Sequence, residues 1–283
     1  HSVQGTAEML ANDLNENLEN IEYICAGINH MAFYLKFVKK TNNKEENLYP
    51  RLKNLAKEIL NDKKLSSRST KINEESKKIL HEKVRYEILQ RFGYFVTESS
   101  EHFAEYVPWF IKQNRQDLID QYKIPIEEYI DRCENNIKIW NDLDEDMSPI
   151  LDKPIEKSKE YASYIMDAIA NNKEITINGN VMNNNYIANL PENCCVEVPC
   201  IVNSEGYKPI KIGRLPEQLA ALMRTNINVQ ILTAEAAITK KKDHIYHAAM
   251  LDPLTAANLS IDEIYLMIDK LIKVHGIYLP NYK

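Results

Sequence analysis

The stretch NIEYICAGINHMAFYLKF, from Asn20 to Phe37, is mostly apolar, with the polar pair Asn29-His30 near its middle. Residues 21–28 are rich in β-formers and contain Gly27 shortly before the pair, so we predict a strand that ends here. The pair then has two interpretations. It is either a turn whose histidine has its hydrogen-bond partners within the protein, or a ligand site at the end of a buried strand.

The composition is that of an ordinary globular protein, with 283 residues, 44% of them hydrophobic and 27% charged. The net charge of -6 makes nucleic acids and anionic membranes poor partners, and no apolar run is long enough to cross a bilayer. The five cysteines lack a CxxC spacing, which predicts free thiols and a cytoplasmic location.

Helical periodicity dominates the rest of the chain. Signals for helix ends are Asn73 as an N-cap, Gly93 and Gly276 as stops, and Ser260 with Glu263 as a capping box. Short β-like runs occur at residues 174–177, 185–190, 195–202 and 207–213. Pro199 favours an edge strand or a bulge, and residues 141–159 are predicted to form a loop. The expected fold class is α+β, helix-rich with one small mixed or antiparallel sheet.

Three places could carry chemistry. His30 follows a β-run and a glycine, which suits a metal ligand, although one histidine makes no site. Tyr94 precedes a polar cluster that either lines a sugar pocket or caps a helix. Asn226 and Asn228 lie inside a helical pattern, and either one needs a partner if it is buried. With seven glycines and no GxGxxG, no phosphate-binding loop is present.

Six segments occur in an order that resembles glycoside hydrolase family 4, in its α-galactosidase/α-glucosidase (melibiase-type) branch. They are HSVQG (1–5), AGINHMAFY (26–34), FGYFVTESSEHFAEYVPWF (92–110), NLPENCCVEVPC (189–200), LMRTNINVQ (222–230) and MLDPLTAANLS (250–260). The resemblance extends over nearly the whole chain, and the combination is specific although each motif alone is weak.

The resemblance implies a two-part enzyme that uses NAD and Mn²⁺. An N-terminal Rossmann domain would bind NAD, and a C-terminal part similar to that of lactate and malate dehydrogenases would complete the site. Residues 1–283 are expected to form that single C-terminal substrate and metal domain, without the NAD domain. In the family, one metal ligand maps onto His30, and the other is a cysteine that would immediately precede His1.

The implied reaction oxidises sugar C3 by hydride transfer to NAD, removes the C2 proton, eliminates the aglycone, adds water to the resulting double bond and then returns the hydride to C3. The resemblance assigns the base to Tyr94, and an acid or sugar-contact role to His1. It places Asn29, Glu98, His102 and Asn228 around the substrate. The expected partners are an α-linked sugar and further copies of the chain, as a dimer or tetramer. The alternative is a non-catalytic, self-associating remnant that lacks its cofactor domain.

Overall fold

The structure is a computed structural model, and it describes residues 2–41, 44–61, 82–126, 128–145, 154 and 160–283. Within these ranges six strands form one antiparallel sheet. They are β1 (Ile21–Ile28), β2 (Met31–Thr41), β3 (Lys44–Asn47), β4 (Ile175–Met182), β5 (Cys195–Asn203) and β6 (Gly206–Pro209). The order across the sheet is β3-β2-β1-β5-β4. The strand β6 also pairs with β5, from Cys200 onward, whereas β1 pairs with β5 at Glu197.

Helices account for most of the remaining described chain, which confirms the predicted helix-rich α+β class. They are α1 (Ser2–Asp13), α2 (Tyr49–Asn61), α3 (Lys83–Phe92), α4 (Ser100–Glu105), α5 (Gln116–Tyr122), α6 (Glu128–Glu145), α7 (Ala162–Asn171), α8 (Glu217–Thr239), α9 (Asp243–Leu251), α10 (Pro253–Asn258) and α11 (Ile261–His275). No helix in the described ranges is long and apolar enough to cross a membrane. All five cysteines are free thiols.

The hairpin of β1 and β2 lies at the centre of the fold, because apolar residues cover both of its faces. Met31 and Phe33 belong to one hydrophobic cluster, together with residues of α4, α8 and β5. Tyr34 and Phe37 belong to a second cluster, which α1 and α2 complete. Since successive side chains of a strand point to opposite faces, a strand buried on both faces has a continuous apolar sequence.

Predicted helix ends are confirmed where the structure describes them. Gly93 ends α3 in the left-handed conformation, with φ of 84°. Ser260 and Glu263 form the reciprocal capping box of α11, and Gly276 follows the last residue of that helix. The predicted N-cap Asn73 lies outside the described residues.

Pro199 lies neither on an edge strand nor at a bulge in the pairing with β4, so the prediction of one or the other is wrong. β5 pairs with β4 on one side, where Pro199 faces Asn178, and with β1 and β6 on the other. β1 pairs at Glu197 and β6 begins to pair at Cys200. The Pro199 carbonyl accepts from the Ile210 amide just after β6, and Pro199 lies between the positions where β1 and β6 pair with β5, so its missing N–H breaks no ladder bond there.

Two further predictions are wrong. Residues 185–190 are not a strand, because the buried Asn183 amide donates to the carbonyls of Ile187 and Leu190 within the segment and of Pro191 after it, which folds the segment into a loop. Residues 141–145 continue α6 instead of forming a loop. Asn141 and Asp142 are exposed there, and such residues reduce helix stability by only about 0.7 kcal/mol or less each. Residues 146–153 and 155–159 lie outside the described ranges.

Candidate active site

His30 occupies the second position of the two-residue turn that joins β1 to β2. Its φ is 64°, in the left-handed region that few non-glycine residues adopt. The turn is anchored by the flanking pair Ile28 and Met31, which face each other in the sheet and are at most 1% exposed. The anchored turn holds the imidazole at the edge of the core, and Asn29 beside it is exposed.

Gly27 explains how the hairpin can be so tight. A Cβ at this position would lie 2.5 Å from the Met31 carbonyl oxygen and 2.6 Å from the Ala32 Cα. Only glycine allows this close approach of the two strands. The glycine before the polar pair therefore serves the hairpin that presents His30.

The segment after α3 runs antiparallel beside β2 and brings further polar groups to this turn. Val96 forms a bridge with Phe33, and the Thr97 amide donates to the Ala32 carbonyl at 2.9 Å. Continuing in this direction, Glu98 reaches the turn. Ser99 then accepts a hydrogen bond from the His102 amide and caps α4, which holds His102 and Tyr106 on the next helical turn.

Four side chains meet here, and we call them the His30 cluster: His30, Glu98, His102 and Tyr106. The Nδ1 of His30 lies 2.9 Å from the Tyr106 hydroxyl oxygen. Its Nε2 lies 3.6 Å from Oε2 of Glu98, which is too long for a hydrogen bond. The His102 ring stacks on the His30 ring, with 5.6 Å between centroids. The side chains of His30 and Glu98 are 36% and 13% exposed.

The cluster is an acidic environment. Within the described ranges, no lysine or arginine forms an ion pair with any of its members, and Glu105 adds a carboxylate 3.5 Å from Nδ1 of His102. Burial, followed by the negative charges of Glu105 and Glu98, raises the pKa of Tyr106. The Tyr106 hydroxyl therefore keeps its proton at neutral pH, and the site favours a cation.

The donor chemistry fits part of a metal site. The imidazole is half-exposed, its Nδ1 already has a partner, and its Nε2 faces a carboxylate, as expected of a metal-ligating histidine. In the part of the chain that the structure describes, no group of three or more histidine, cysteine, aspartate or glutamate side chains could hold a metal. The described residues thus supply an incomplete ligand set, and His1 lies outside them.

The structure does not place Tyr94 in the His30 cluster. Its ring packs edge-on against Tyr49 at 5.8 Å and lines a separate cavity of about 430 Å³ that also includes Lys36. Tyr106 is the tyrosine that contacts His30, and its spacing of four residues from His102 was the available signal. The role of Tyr94 as base therefore remains a prediction.

The two asparagines of α8 behave differently. Asn228 is exposed, and its predicted substrate contact remains untested. Asn226 is 4% exposed, and its Nδ2 donates to the Tyr106 backbone carbonyl at 3.2 Å. Asn226 therefore positions the residue that contacts His30.

Comparison with known proteins gives a consistent result. The profile of the family 4 glycosyl hydrolase C-terminal domain matches residues 25–255. An alpha-galactosidase from Bacillus subtilis (strain 168) is 44% identical over the whole chain, which corresponds to 61% of its own length. An alpha-galactosidase from Rhizobium meliloti (strain 1021) is 29% identical over the whole chain and 55% of its length. A maltose-6'-phosphate glucosidase from Fusobacterium mortiferum is 34% identical, but over 44% of this chain and 28% of its own.

Solved structures agree on the fold. A putative glucosidase, lplD, from Bacillus subtilis has a TM-score of 0.76 at 20% identity, covering 96% of this chain and 61% of that one. A 6-phospho-alpha-glucosidase from gut microorganisms, solved with NAD and Mn²⁺, has a TM-score of 0.70 at 16% identity, covering 98% and 60%. This chain spans less than two thirds of the length of these relatives.

Proposed function

We propose, starting from the fact that this chain belongs to family 4 of the glycosyl hydrolases, that it is the substrate- and metal-binding part of an NAD- and Mn²⁺-dependent α-glycosidase. The observation that carries the proposal is His30, held on the tight β1–β2 turn with its Nε2 facing the Glu98 carboxylate. The structural neighbour solved with NAD and Mn²⁺ supports the choice of cofactors.

The proposed substrate class is an α-galactoside without a phosphate group. In sequence, both relatives named alpha-galactosidase match the whole chain, whereas the maltose-6'-phosphate glucosidase matches 44% of it. The His30 cluster supports this choice, because its carboxylates would repel a phosphate and no lysine or arginine pairs with its members in the described residues.

In the proposed site, His30 supplies one metal ligand through Nε2, and Glu98 lies where it can join the coordination or accept a sugar hydroxyl. When bound, NAD and Mn²⁺ would supply hydride exchange and polarisation of sugar oxygens. His102 stacks behind His30 and limits the rotation of its ring. Asn29, exposed beside His30, is available to contact the sugar.

The proposed base is Tyr94, on the resemblance alone. A general base must lie within hydrogen-bond reach of the proton it removes, so this role requires a substrate that extends from the His30 cluster to the cavity of Tyr94. His1 keeps its proposed acid or sugar-contact role on the same ground.

A chimera tests the function. In it, this chain replaces the matching segment of the Bacillus subtilis relative, and hydrolysis of 4-nitrophenyl α-galactoside is followed with and without NAD and Mn²⁺. We expect activity that requires both cofactors. We expect His30→Gln to lower the activity at least 100-fold, because a metal ligand is lost.

The matched control is His247→Gln, since His247 is an exposed histidine of α9 whose ring packs against His244, and it should retain full activity. A folded chimera without activity would refute the proposed function and favour the alternative of a non-catalytic, self-associating remnant. Full activity of the His30→Gln chimera would refute the metal assignment.

A further inference from the structure

We propose that two copies of this chain associate by inserting the helix α6 of one copy into an apolar groove between α8, α9 and α11 of the other. In a two-fold arrangement the exchange is reciprocal, so the same contact is made twice and the assembly closes as a dimer. Neither surface includes a member of the His30 cluster.

The helix α6 has an apolar side that no described element covers. The α6 stripe, as we call it, consists of Ile130, Cys133, Ile137 and Trp140. Their spacing of three, four and three positions places them within about 80° around the helix. Ile130, Ile137 and Trp140 are 55%, 63% and 72% exposed. Such a helix gains free energy when a partner buries its stripe.

The groove is a largely apolar cavity of about 470 Å³ between α8, α9 and α11. Its lining includes four alanines, whose methyl groups leave space between the helices. Cavities of about 300–1,000 Å³ hold drug-sized ligands, so this one can receive the indole of Trp140 with an isoleucine beside it. The apolar lining includes Ala236, Ala237, Ala248, Ala249, Leu271 and Ile272.

The C-terminal residues form a fixed wall of this groove. The Lys283 amide donates to the Lys240 carbonyl at 2.7 Å, and the Lys242 amide donates to the Lys283 carbonyl at 2.9 Å. Tyr282 lines the groove, and its ring lies 5.8 Å from Nζ of Lys240. The wall is therefore in place before a partner arrives, which reduces the entropy that binding must cost.

The charge of α6 is strongly negative towards its C-terminal end. The helix has six acids and two bases in its sequence, and three of the acids are among its last four residues, 142–145. Its C-terminus adds the negative end of the helix dipole. This acidic end is also the end that carries Trp140, the largest side chain of the α6 stripe.

The groove has the opposite charge at one end. Residues 240–243 and 269–283, which include Leu271 and Tyr282 of the lining, contain six lysines and two aspartates. One of these aspartates, Asp269, is already paired with Lys242 at 3.2 Å. The acidic end of α6 and this basic end of the groove attract each other, which orients the helix and accelerates association.

A second copy is the partner that supplies both surfaces. Within one chain they do not meet, because Trp140 is largely exposed and the residues that line the groove include none from α6 among those described. Two α6 helices side by side would bring acids together, and two grooves face to face would bring lysines together. Helix into groove is therefore the pairing that the charges favour.

Sedimentation velocity of the full chain, at concentrations up to about 100 µM, measures the association. We expect wild type to form a dimer, and Trp140→Ser to weaken dimerisation at least tenfold because the aromatic anchor is lost. Ile139→Ser is the matched control. Ile139 is 47% exposed on another side of the same helix, so its variant should dimerise as wild type does.

The groove is tested with Leu271→Arg, which we expect to weaken dimerisation at least tenfold by placing a charge in the apolar lining. Leu271 is 45% exposed, so the substitution leaves the fold intact, and urea unfolding checks this. The matched control is Val274→Arg. Val274 lies on the same helix, is 81% exposed and does not line the groove, so its variant should dimerise as wild type does.

Mixing the two weakened variants identifies the pairing. Trp140→Ser keeps an intact groove and Leu271→Arg keeps an intact helix, so an equal mixture should associate more strongly than either variant alone. A monomeric wild type overturns the proposal and leaves the groove to a partner of another kind. Weakening by only one of the two substitutions, or a mixture that associates no better than its components, overturns the insertion of helix into groove.

Discussion

Glu197 is an unusual residue in this molecule, because it is an acid buried in the middle of the sheet. It lies on β5 opposite Gly27 of the hairpin that carries His30, and it is 7% exposed. Burial raises its pKa to about 7, and the charge of Glu98 contributes in the same direction. The protein therefore holds a proton here at pH values where an unfolded chain has lost it.

The raised pKa of Glu197 predicts a specific pH dependence of stability. Between the unfolded value of 4.5 and the folded value of about 7, the native state binds the extra proton, so stability falls as pH rises through this window. Glu197→Gln should remove this loss. It should be more stable than wild type by up to about 3 kcal/mol at pH 8 and equally stable at pH 4.

Urea unfolding at the two pH values measures the effect. Glu192→Gln is the control, because this glutamate is exposed in the loop before β5 and should show the wild-type pH dependence. Parallel stability curves for wild type and Glu197→Gln would contradict the buried, protonated carboxyl.

The asparagines show what sequence can predict about single residues. Helical periodicity indicates that two residues separated by two positions, such as Asn226 and Asn228, point about 200° apart. In a helix that packs one face on the core, such a pair is expected to have one buried and one exposed member, as Asn226 and Asn228 do. Which asparagine is buried depends on which face of α8 packs on the core. Packing against β1 and the segment around Tyr106 determines that face, and the local sequence of α8 does not reveal it.

At the scale of elements, the sequence predicted the first strand of the β1–β2 hairpin but not the second. Turn residues marked the end of β1, and the strand Ile21–Ile28 confirms that prediction. The partner β2 has no polar alternation, because both of its faces are buried, so its sequence alone did not distinguish a strand from a buried helix. The left-handed φ of His30 was likewise invisible, since asparagine and glycine are the usual residues there.

Gly27→Ala tests the close approach within this hairpin. The added methyl would collide with backbone atoms of Met31 and Ala32 at 2.5 and 2.6 Å, and backbone at this position has little freedom to yield. We expect a loss of about 3 kcal/mol or more in the free energy of unfolding, measured by urea denaturation or as failure to fold.

Gly5→Ala is the matched control for that substitution. A Cβ at Gly5, within α1, meets no atom within 4 Å, so the variant should gain about 0.5–1 kcal/mol from helix propensity. Equal effects of the two substitutions would show that Gly27 is not sterically required.

At the scale of the whole molecule, Arg85 connects parts of the chain that are distant in sequence. Its guanidinium donates to the Val96 and Thr97 carbonyls at 3.0 and 3.2 Å and to the Thr6 hydroxyl, and it lies over the Phe95 ring. The side chain is 3% exposed. It thus joins α1 and α3 to the segment that carries Glu98 to the His30 cluster.

Arg85→Ala should therefore cost about 3–5 kcal/mol in the free energy of unfolding, because it leaves the buried Val96 carbonyl without its donor and removes the cation that pairs with Glu82. The control is Arg91→Ala on the same helix, where an exposed arginine pairs with Glu87 at i−4 and should contribute less than about 0.5 kcal/mol. Equilibrium denaturation measures the free energy of unfolding of both variants. Similar decreases in the two would refute the role of Arg85 in joining α1 and α3 to the segment with Glu98.

The strand order across the sheet has a kinetic consequence. β1 pairs with β2, and β5 with β4 and β6, between residues close in sequence, whereas β1 and β5 pair between Gly27 and Glu197. Joining them closes a loop of well over a hundred residues, whose entropy must be lost before that contact stabilises anything. The two halves of the sheet should therefore assemble first as separate units. The Gly27–Glu197 contact should then form late, so the hairpin that carries His30 should acquire its final support towards the end of folding.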